Sequence, residues 1–305
     1  MKLYAPLVTL AKGFCMGAAD VVPGVSGGTM AFILGIYRRL IDAIRAFDLT
    51  ALKLLSGGRI RAAVKHVELV FLLWLGAGIV CALVFFTRVV PLPTLIRTDP
   101  VPVYALFFGL IVGSVVVLMR GLKNLGAGDA VALLTGVALG LAIVNVTPAQ
   151  TPEASWFIFV CGGAAVCAMI LPGISGSFIL LLLRKYAYIF DALGRLDFSV
   201  VVPFALGAAT GLMLFSRVLS WLMAHFERSC LLVIAGLLVG SLWIIWPYQQ
   251  REFEMVRGKE RLLTSMPVWP DAFDDVFVLA LALALAGFVG VVALERLSTR
   301  RLRHA

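Results

Sequence analysis

The octapeptide V-P-G-V-S-G-G-T, Val22 to Thr29, returns as L-P-G-I-S-G-S-F, Leu171 to Phe178, at an offset of 149 residues. Each copy interrupts an apolar run. Proline removes a backbone donor and pushes the preceding residue out of the helical region, so both runs must break at this point. The residues after each break, Gly28 to Leu40 and Ser177 to Tyr188, are expected to restart a helix, and free N–H groups at a helix start favour an anion. Glycines there permit close approach to the backbone. Two such breaks at matching places in hydrophobic sequence point to the binding site of a transporter.

Working outward, Leu7 to Val22 is 16 residues, about 24 Å as a helix and short of the ~30 Å hydrocarbon core. The following arm is shorter still. A re-entrant hairpin over residues 7–40 is therefore expected, with a second over 156–188, since broken backbone at membrane depth is tolerated only inside protein or a wet cavity. Full spans are expected at about 68–90, 102–119 and 129–146, and again at about 199–221, 230–246 and 276–294. The repeat continues in these spans: V-F-F-T-R-V-V (Val84–Val90) matches M-L-F-S-R-V-L (Met213–Leu219), and G-L-I-V-G-S (Gly109–Ser114) matches G-L-L-V-G-S (Gly236–Ser241). The reading is an all-α integral membrane protein of two inverted-topology repeats, 1–150 and 151–305, each a hairpin followed by three spans.

Composition agrees. The 305 residues are 61% hydrophobic and only 14% charged, against about 25% charged for a soluble domain, and the mean hydropathy is +1.02. Lys2 and Lys12 precede no small-residue cleavage site, so the N-terminus reads as retained structure. The net charge of +9 reads as cytoplasmic loops and contact with anionic membrane lipid, not nucleic acid. The densest basic stretch, Arg38 to Lys65, is expected on the cytoplasmic side, partly on the membrane surface. With both termini inside, cytoplasmic segments hold 15 Lys and Arg and the other side nine. The five cysteines are odd in number, lie in apolar stretches and form no C-x-x-C pair, so no disulfide frame, metal site or cofactor is expected.

The motifs offer backbone amides and small hydroxyls, which suit phosphate oxygens better than a metal or a nucleophile. The phosphate-binding candidates are Gly24, Ser26, Gly27, Gly28 and Thr29 in the first copy and Gly173, Ser175, Gly176 and Ser177 in the second. A packing kink is the alternative, because Gly and Ser are ordinary in membrane helix interfaces. Arg88 and Arg217 share a repeat position and are expected toward opposite leaflets, either as snorkelling anchors or as bidentate phosphate ligands. Asp20, a carboxylate deep in an apolar run, is the proton-coupling candidate, with a structural pair to Lys12 or an arginine as the alternative. Its counterpart in the second copy is Met169. No catalytic residue is identified.

The run K-G-F-C-M-G-A-A-D-V-V-P-G-V-S-G-G-T, Lys12 to Thr29, with L-P-G-I-S-G-S in the second half, resembles the polyprenyl-phosphate transporter family over essentially the whole chain. The resemblance implies a multi-pass protein of the bacterial cytoplasmic membrane that returns undecaprenyl phosphate from the outer to the inner leaflet. Pro23 and Pro172 carry over with the glycines and hydroxyls named above. Undecaprenyl-pyrophosphate phosphatases have a similar P-G-x-S-R-S motif. Here Gly27 and Gly176 follow the serines where the phosphatase has arginine, and no E-x-x-x-E occurs in an apolar span, so nucleophilic chemistry lacks its partners. A small-anion carrier is the remaining alternative.

Overall fold

The computed structural model describes residues 4–21, 26–90, 92–145, 151–256, 259–270 and 272–303. The chain opens with α1 (Tyr4–Asp20), α2 (Gly27–Ile33) and α3 (Tyr37–Arg45), then two short helices, α4 (Leu49–Ser56) and α5 (Ile60–His66). The long α6 (Leu69–Arg88) precedes α7 (Leu92–Thr98), α8 (Pro100–Gly121) and α9 (Ala127–Val144). The second half runs α10 (Ser155–Ile170), α11 (Gly176–Leu182), α12 (Tyr186–Gly194), α13 (Phe198–His225) and α14 (Glu227–Ile245). Strands β1 (Gln249–Val256) and β2 (Lys259–Pro267) follow, then α15 (Asp275–Arg303). Six of these helices, α6, α8, α9, α13, α14 and α15, are long and apolar enough to cross a membrane. They are the six expected spans, so the chain is an all-α membrane protein.

One expectation needs correction. The second arm of each hairpin is not one helix. The first breaks after α2, where Gly35 takes φ +66°, and the second after α11, where Arg184 takes φ +51°. A single residue in the left-handed region ends a helix and turns the chain. Seven-residue α2 and α11 are about 10 Å long, so neither spans a bilayer. Between α14 and α15, β1 and β2 pair antiparallel from Gln249↔Pro267 to Val256↔Lys259, with a register irregularity at Glu252/Phe253.

The chain forms two compact units, each drawing on both halves: residues 1–90 with 147–227, and residues 91–146 with 228–305. In the first, α1 packs on α6 and α10 on α13. The contacts are backbone to backbone: a Cβ on Gly13 or Gly78 would strike the carbonyls of Leu75 or Leu10, and one on Gly162 or Gly207 those of Phe204 or Phe159. These are corresponding positions. Gly13 and Leu10 map onto Gly162 and Phe159 by the hairpin offset of 149, and Gly78 and Leu75 onto Gly207 and Phe204 by the span offset of 129. Small residues let membrane helices approach this closely, and van der Waals packing holds them there.

The second unit follows the same logic. Gly109 meets the carbonyl of Ala284 and Gly287 that of Leu106, joining α8 to α15, while Gly236 meets that of Leu133 and Gly136 that of Val233, joining α14 to α9. Each of these glycine-joined pairs thus has its counterpart, α1–α6 in α10–α13 and α8–α15 in α14–α9. Asp129 and Arg228 tie the ends of α9 and α14 in an ion pair of 2.6 Å.

Candidate functional site

Both motif loops lie in the first compact unit, where they grip each other. Ser26 is the N-cap of α2: its extended backbone (φ −120°, ψ 137°) lets Oγ accept the Gly28 N–H at 3.1 Å, satisfying one orphan donor of the helix start. The same Oγ donates across to the Met169 carbonyl at 3.2 Å. In return, the Gly173 N–H donates to Thr29 Oγ1 at 2.9 Å. Ser26 and Thr29 are each only 1% exposed. Both hydroxyls are therefore spent on a clasp between the loops.

Close backbone approach explains the glycines, across the clasp at Gly28 and within the second hairpin at Gly176. A Cβ on Gly28 would lie 2.7 Å from the Ile170 carbonyl oxygen and 2.8 Å from that of Met169, and one on Gly176 would lie 2.5 Å from the Ala165 carbonyl. What approaches them is backbone of the protein itself. Gly173 takes φ +90°, a conformation that L side chains resist. Gly24 and Pro23 lie outside the described residues.

Asp20 closes the first loop. Its Oδ1 accepts the Gly27 N–H at 2.6 Å, a charge-assisted length, and a Cβ on Gly27 would meet the same carboxylate. Lys12 does not pair with it. Lys12 Nζ donates to the Leu34 carbonyl at 2.7 Å, at the opposite end of α2. One helix, α1, thus places a carboxylate at the start of α2 and an ammonium at its end, each complementing the helix dipole. The eight helical steps from Lys12 to Asp20 rise about 12 Å, close to the length of α2.

The second loop is built differently. Met169 and Cys161 stand where the first has Asp20 and Lys12. Ser175 makes no side-chain cap to α11; its hydroxyl meets that of Ser177 at 2.7 Å, and Ser177 is exposed. The Leu183 carbonyl, counterpart of Leu34, accepts the Thr151 hydroxyl at 2.5 Å. Lys185, 4% exposed, donates to the Thr151 carbonyl at 2.8 Å. Sequence reading passed over Lys185, since its repeat counterpart is the apolar Ile36 and nothing in its spacing marks it as buried.

The arginines differ too. Arg88 is the last residue of α6 and is exposed. Arg217 lies two turns inside the longer α13 and donates to the Met213 carbonyl at 2.9 Å and to that of Phe47, just beyond α3, at 3.4 Å. Close by, Ser220 donates to Asp42 at 3.0 Å and accepts from Arg45 at 2.9 Å. Together these bonds fasten α3 to α13. Among the described residues no group of three or more His, Cys, Asp or Glu is placed to hold a metal.

The chain is thus a helical membrane protein whose two halves each send a glycine- and hydroxyl-bearing loop into one shared clasp. The chain belongs to the VCA0040-like family, described as undecaprenyl phosphate translocase-like, whose model matches residues 16–261. The polyprenyl-phosphate transporter of Vibrio cholerae serotype O1 (strain ATCC 39315 / El Tor Inaba N16961) is 35% identical over 298 residues, 95% of this chain and 96% of that protein. The polyprenyl-phosphate transporter of Staphylococcus aureus (strain NCTC 8325 / PS 47) is 29% identical over 259 residues, 79% of this chain and 86% of that one. No solved structure matches the chain.

Proposed function

We propose that this protein moves undecaprenyl phosphate from the outer to the inner leaflet of the bacterial cytoplasmic membrane, and that it is a transporter and not an enzyme. The observation that carries the reading is the clasp of two repeated loops in a chain whose relatives are named polyprenyl-phosphate transporters over nearly their full length. The paired glycine contacts support an inverted repeat, and the Lys/Arg bias supports both termini in the cytoplasm.

Only the headgroup needs shelter, because the polyprenyl tail stays in hydrocarbon. In the clasped state the first loop is closed by Asp20 and the buried Ser26 and Thr29. The hydroxyls of Ser175 and Ser177 remain to receive phosphate oxygens beside the amide of Gly176, while the Gly173 amide is held by Thr29 until the clasp opens. The amides of Gly27 and Gly28 join them when the clasp opens. Arg88, exposed at the end of α6, takes the phosphate at one leaflet, and Arg217 takes it at the other once Phe47 releases its guanidinium. Moving an anion inward against an inside-negative potential costs about 2.3 kcal/mol per charge per 100 mV. Proton uptake by Asp20 offsets this and, by removing its charge, weakens its hold on the Gly27 amide in the same step.

The test is purified protein in liposomes carrying undecaprenyl phosphate in one leaflet. Movement between leaflets that depends on the protein, and speeds with an imposed pH gradient, is the expected result. Release of inorganic phosphate from the pyrophosphate lipid, or uptake of a soluble anion without lipid movement, overturns the reading.

A further inference from the structure

Outside the clasp, the first compact unit holds a cleft of about 360 Å³ where the start of α1 meets α5 and α6, lined by Arg39, Arg61, Lys65, Glu68, Phe71 and Trp74 among others. Three cations face one carboxylate, leaving a surplus of two positive charges. The Glu68 carboxylate is already taken, at 2.6 Å from the Arg39 guanidinium, which also lies 4.1 Å from the centre of the Phe71 ring. Arg39 is thereby held in place. Arg61 and Lys65 stand four residues apart on α5, on one face of the helix. Both are exposed, and neither has an ion-pair partner among the described residues.

Neighbouring residues set the depth of this cleft in the membrane. On α4, Leu49, Leu52 and Leu55 are 74%, 61% and 52% exposed, while Ala51 on the other side is buried. A short helix with leucines outward and Lys53 beside them lies in the plane of a bilayer interface, its apolar face among the acyl chains. Trp74 is five residues into α6 and partly exposed, the usual depth of an interfacial tryptophan. Arg61 and Lys65, just before the span begins, therefore stand at headgroup level with apolar side chains directly below. The cleft is also remote from the loops: Thr9, in its wall, is eleven residues from Asp20, about 16 Å along α1.

We propose that this cleft is a resident site for an anionic phospholipid, distinct from the path of the transported lipid. The phosphodiester sits against Arg61 and Lys65, opposite the fixed Arg39, and the acyl chains run down past Phe71 and Trp74. Two surplus cations suit a headgroup that keeps a net negative charge, such as phosphatidylglycerol, over a zwitterionic one. The bound lipid ties α5 to α1 and α6, and so anchors the α4–α5 platform.

The test uses the full-length protein in phosphatidylcholine nanodiscs titrated with brominated phosphatidylglycerol, reading the fluorescence that Trp74→Phe removes. Quenching of that component at low mole fraction is expected for phosphatidylglycerol, and not for brominated phosphatidylcholine at the same fraction. Each cation is worth roughly five-fold in affinity for an anionic lipid, so Arg61→Gln/Lys65→Gln should raise the half-quenching fraction by about 25-fold. Arg120→Gln/Lys123→Gln, which removes two exposed charges elsewhere, should leave it unchanged. Equal quenching by both lipids overturns the proposal, as does indifference to the α5 substitutions or an equal response to the control pair. Stoichiometric displacement of the phosphatidylglycerol by undecaprenyl phosphate also overturns it, and makes the cleft a release station of the transport path.

Discussion

Replacing Gly28 with alanine adds one methyl group at the tightest point of the clasp. The new Cβ would sit 2.7 Å from the Ile170 oxygen and 2.8 Å from the Met169 oxygen, whereas ordinary contact begins at 3.4 Å. The loops must then part by roughly 0.7 Å, and the atoms in the way are backbone, which cannot rotate aside as a side chain would. Overpacking of this kind costs about 1–3 kcal/mol, or about 5- to 150-fold in the folded-to-unfolded ratio. The separation also stretches the Ser26–Met169 and Gly173–Thr29 bonds, 3.2 and 2.9 Å long. Gly76 is the internal control, because a Cβ there meets nothing within 4 Å and alanine favours the helix by up to about 1 kcal/mol. Denaturant titration in detergent should place Gly28→Ala below wild type and Gly76→Ala at or above it. In liposomes, undecaprenyl-phosphate movement should fall with Gly28→Ala and persist with Gly76→Ala. A wild-type midpoint for Gly28→Ala, with Gly76→Ala behaving as stated, would refute contact between the loops at this residue.

Three further outcomes are expected. Asp20→Asn keeps an oxygen to accept the Gly27 amide but cannot take up a proton, so its lipid movement should lose its response to a pH gradient while its unfolding midpoint shifts by less than about 1 kcal/mol; an intact response removes Asp20 from coupling. Arg217→Lys keeps the charge and loses the planar fork that reaches two carbonyls, so it should loosen α3 from α13 and slow transport, as should Arg88→Lys at its own leaflet; wild-type rates in both variants would dismiss the phosphate-ligand role. The Ala51 amide, and after it His66, hold the Asp48 carboxyl below its ordinary value of 3.8. A depressed carboxyl stabilises above its unfolded-state value and ceases to as pH falls through the folded-state one. Exchange protection at the Ala51 amide, corrected for the intrinsic rate, should therefore hold near neutrality and drop below the 3.8 value; protection that Asp48→Ala leaves intact at neutral pH refutes the cap.

The spans were legible because hydrophobic runs of 18 residues or more have few other uses, and each expected span coincides with a helix. The hairpins were legible as breaks, since proline and glycine interrupt any helix, yet the second break in each was not. Gly35 signals its left-handed turn, but Arg184 adopts the same turn with an ordinary side chain, and only tertiary packing imposes that. Ser26 and Thr29 were visible as polar groups in apolar sequence. Whether they face a ligand or another loop depends on what the fold brings to them, and here that is Met169 and Gly173, more than 140 residues away. The glycines that join the long helices, such as Gly78 and Gly207, repeat in register but look like any small residue in a membrane span. Their role appears only when the facing carbonyls are known.

The difference between the two loops bears on where the phosphate binds. In the first, the Asp20 carboxylate already occupies the Gly27 amide, so a second anion there meets like charge until Asp20 is protonated. In the second, the matching residue is Met169, half exposed at 51%, and among the described residues the serine hydroxyls bond to each other. On the proposed function, the phosphate is expected at the second loop, where the described residues bring no competing carboxylate. Met169→Asp tests this by giving the second loop the acid of the first. A Cβ on Gly176 would lie 3.3 Å from that of Met169, so the new carboxylate stands beside the amides and hydroxyls in question, and its exposure makes the change tolerable to the fold. Binding of undecaprenyl phosphate should weaken by at least about ten-fold, the effect of roughly 1.4 kcal/mol of repulsion. Met169→Asn, similar in shape and uncharged, should bind close to wild type. The ten-fold loss should shrink as pH falls and the added carboxyl takes up a proton. Equal binding by the Asp and Asn variants at neutral pH would place the phosphate elsewhere, and would return the first loop, opened by protonation of Asp20, as the primary contact.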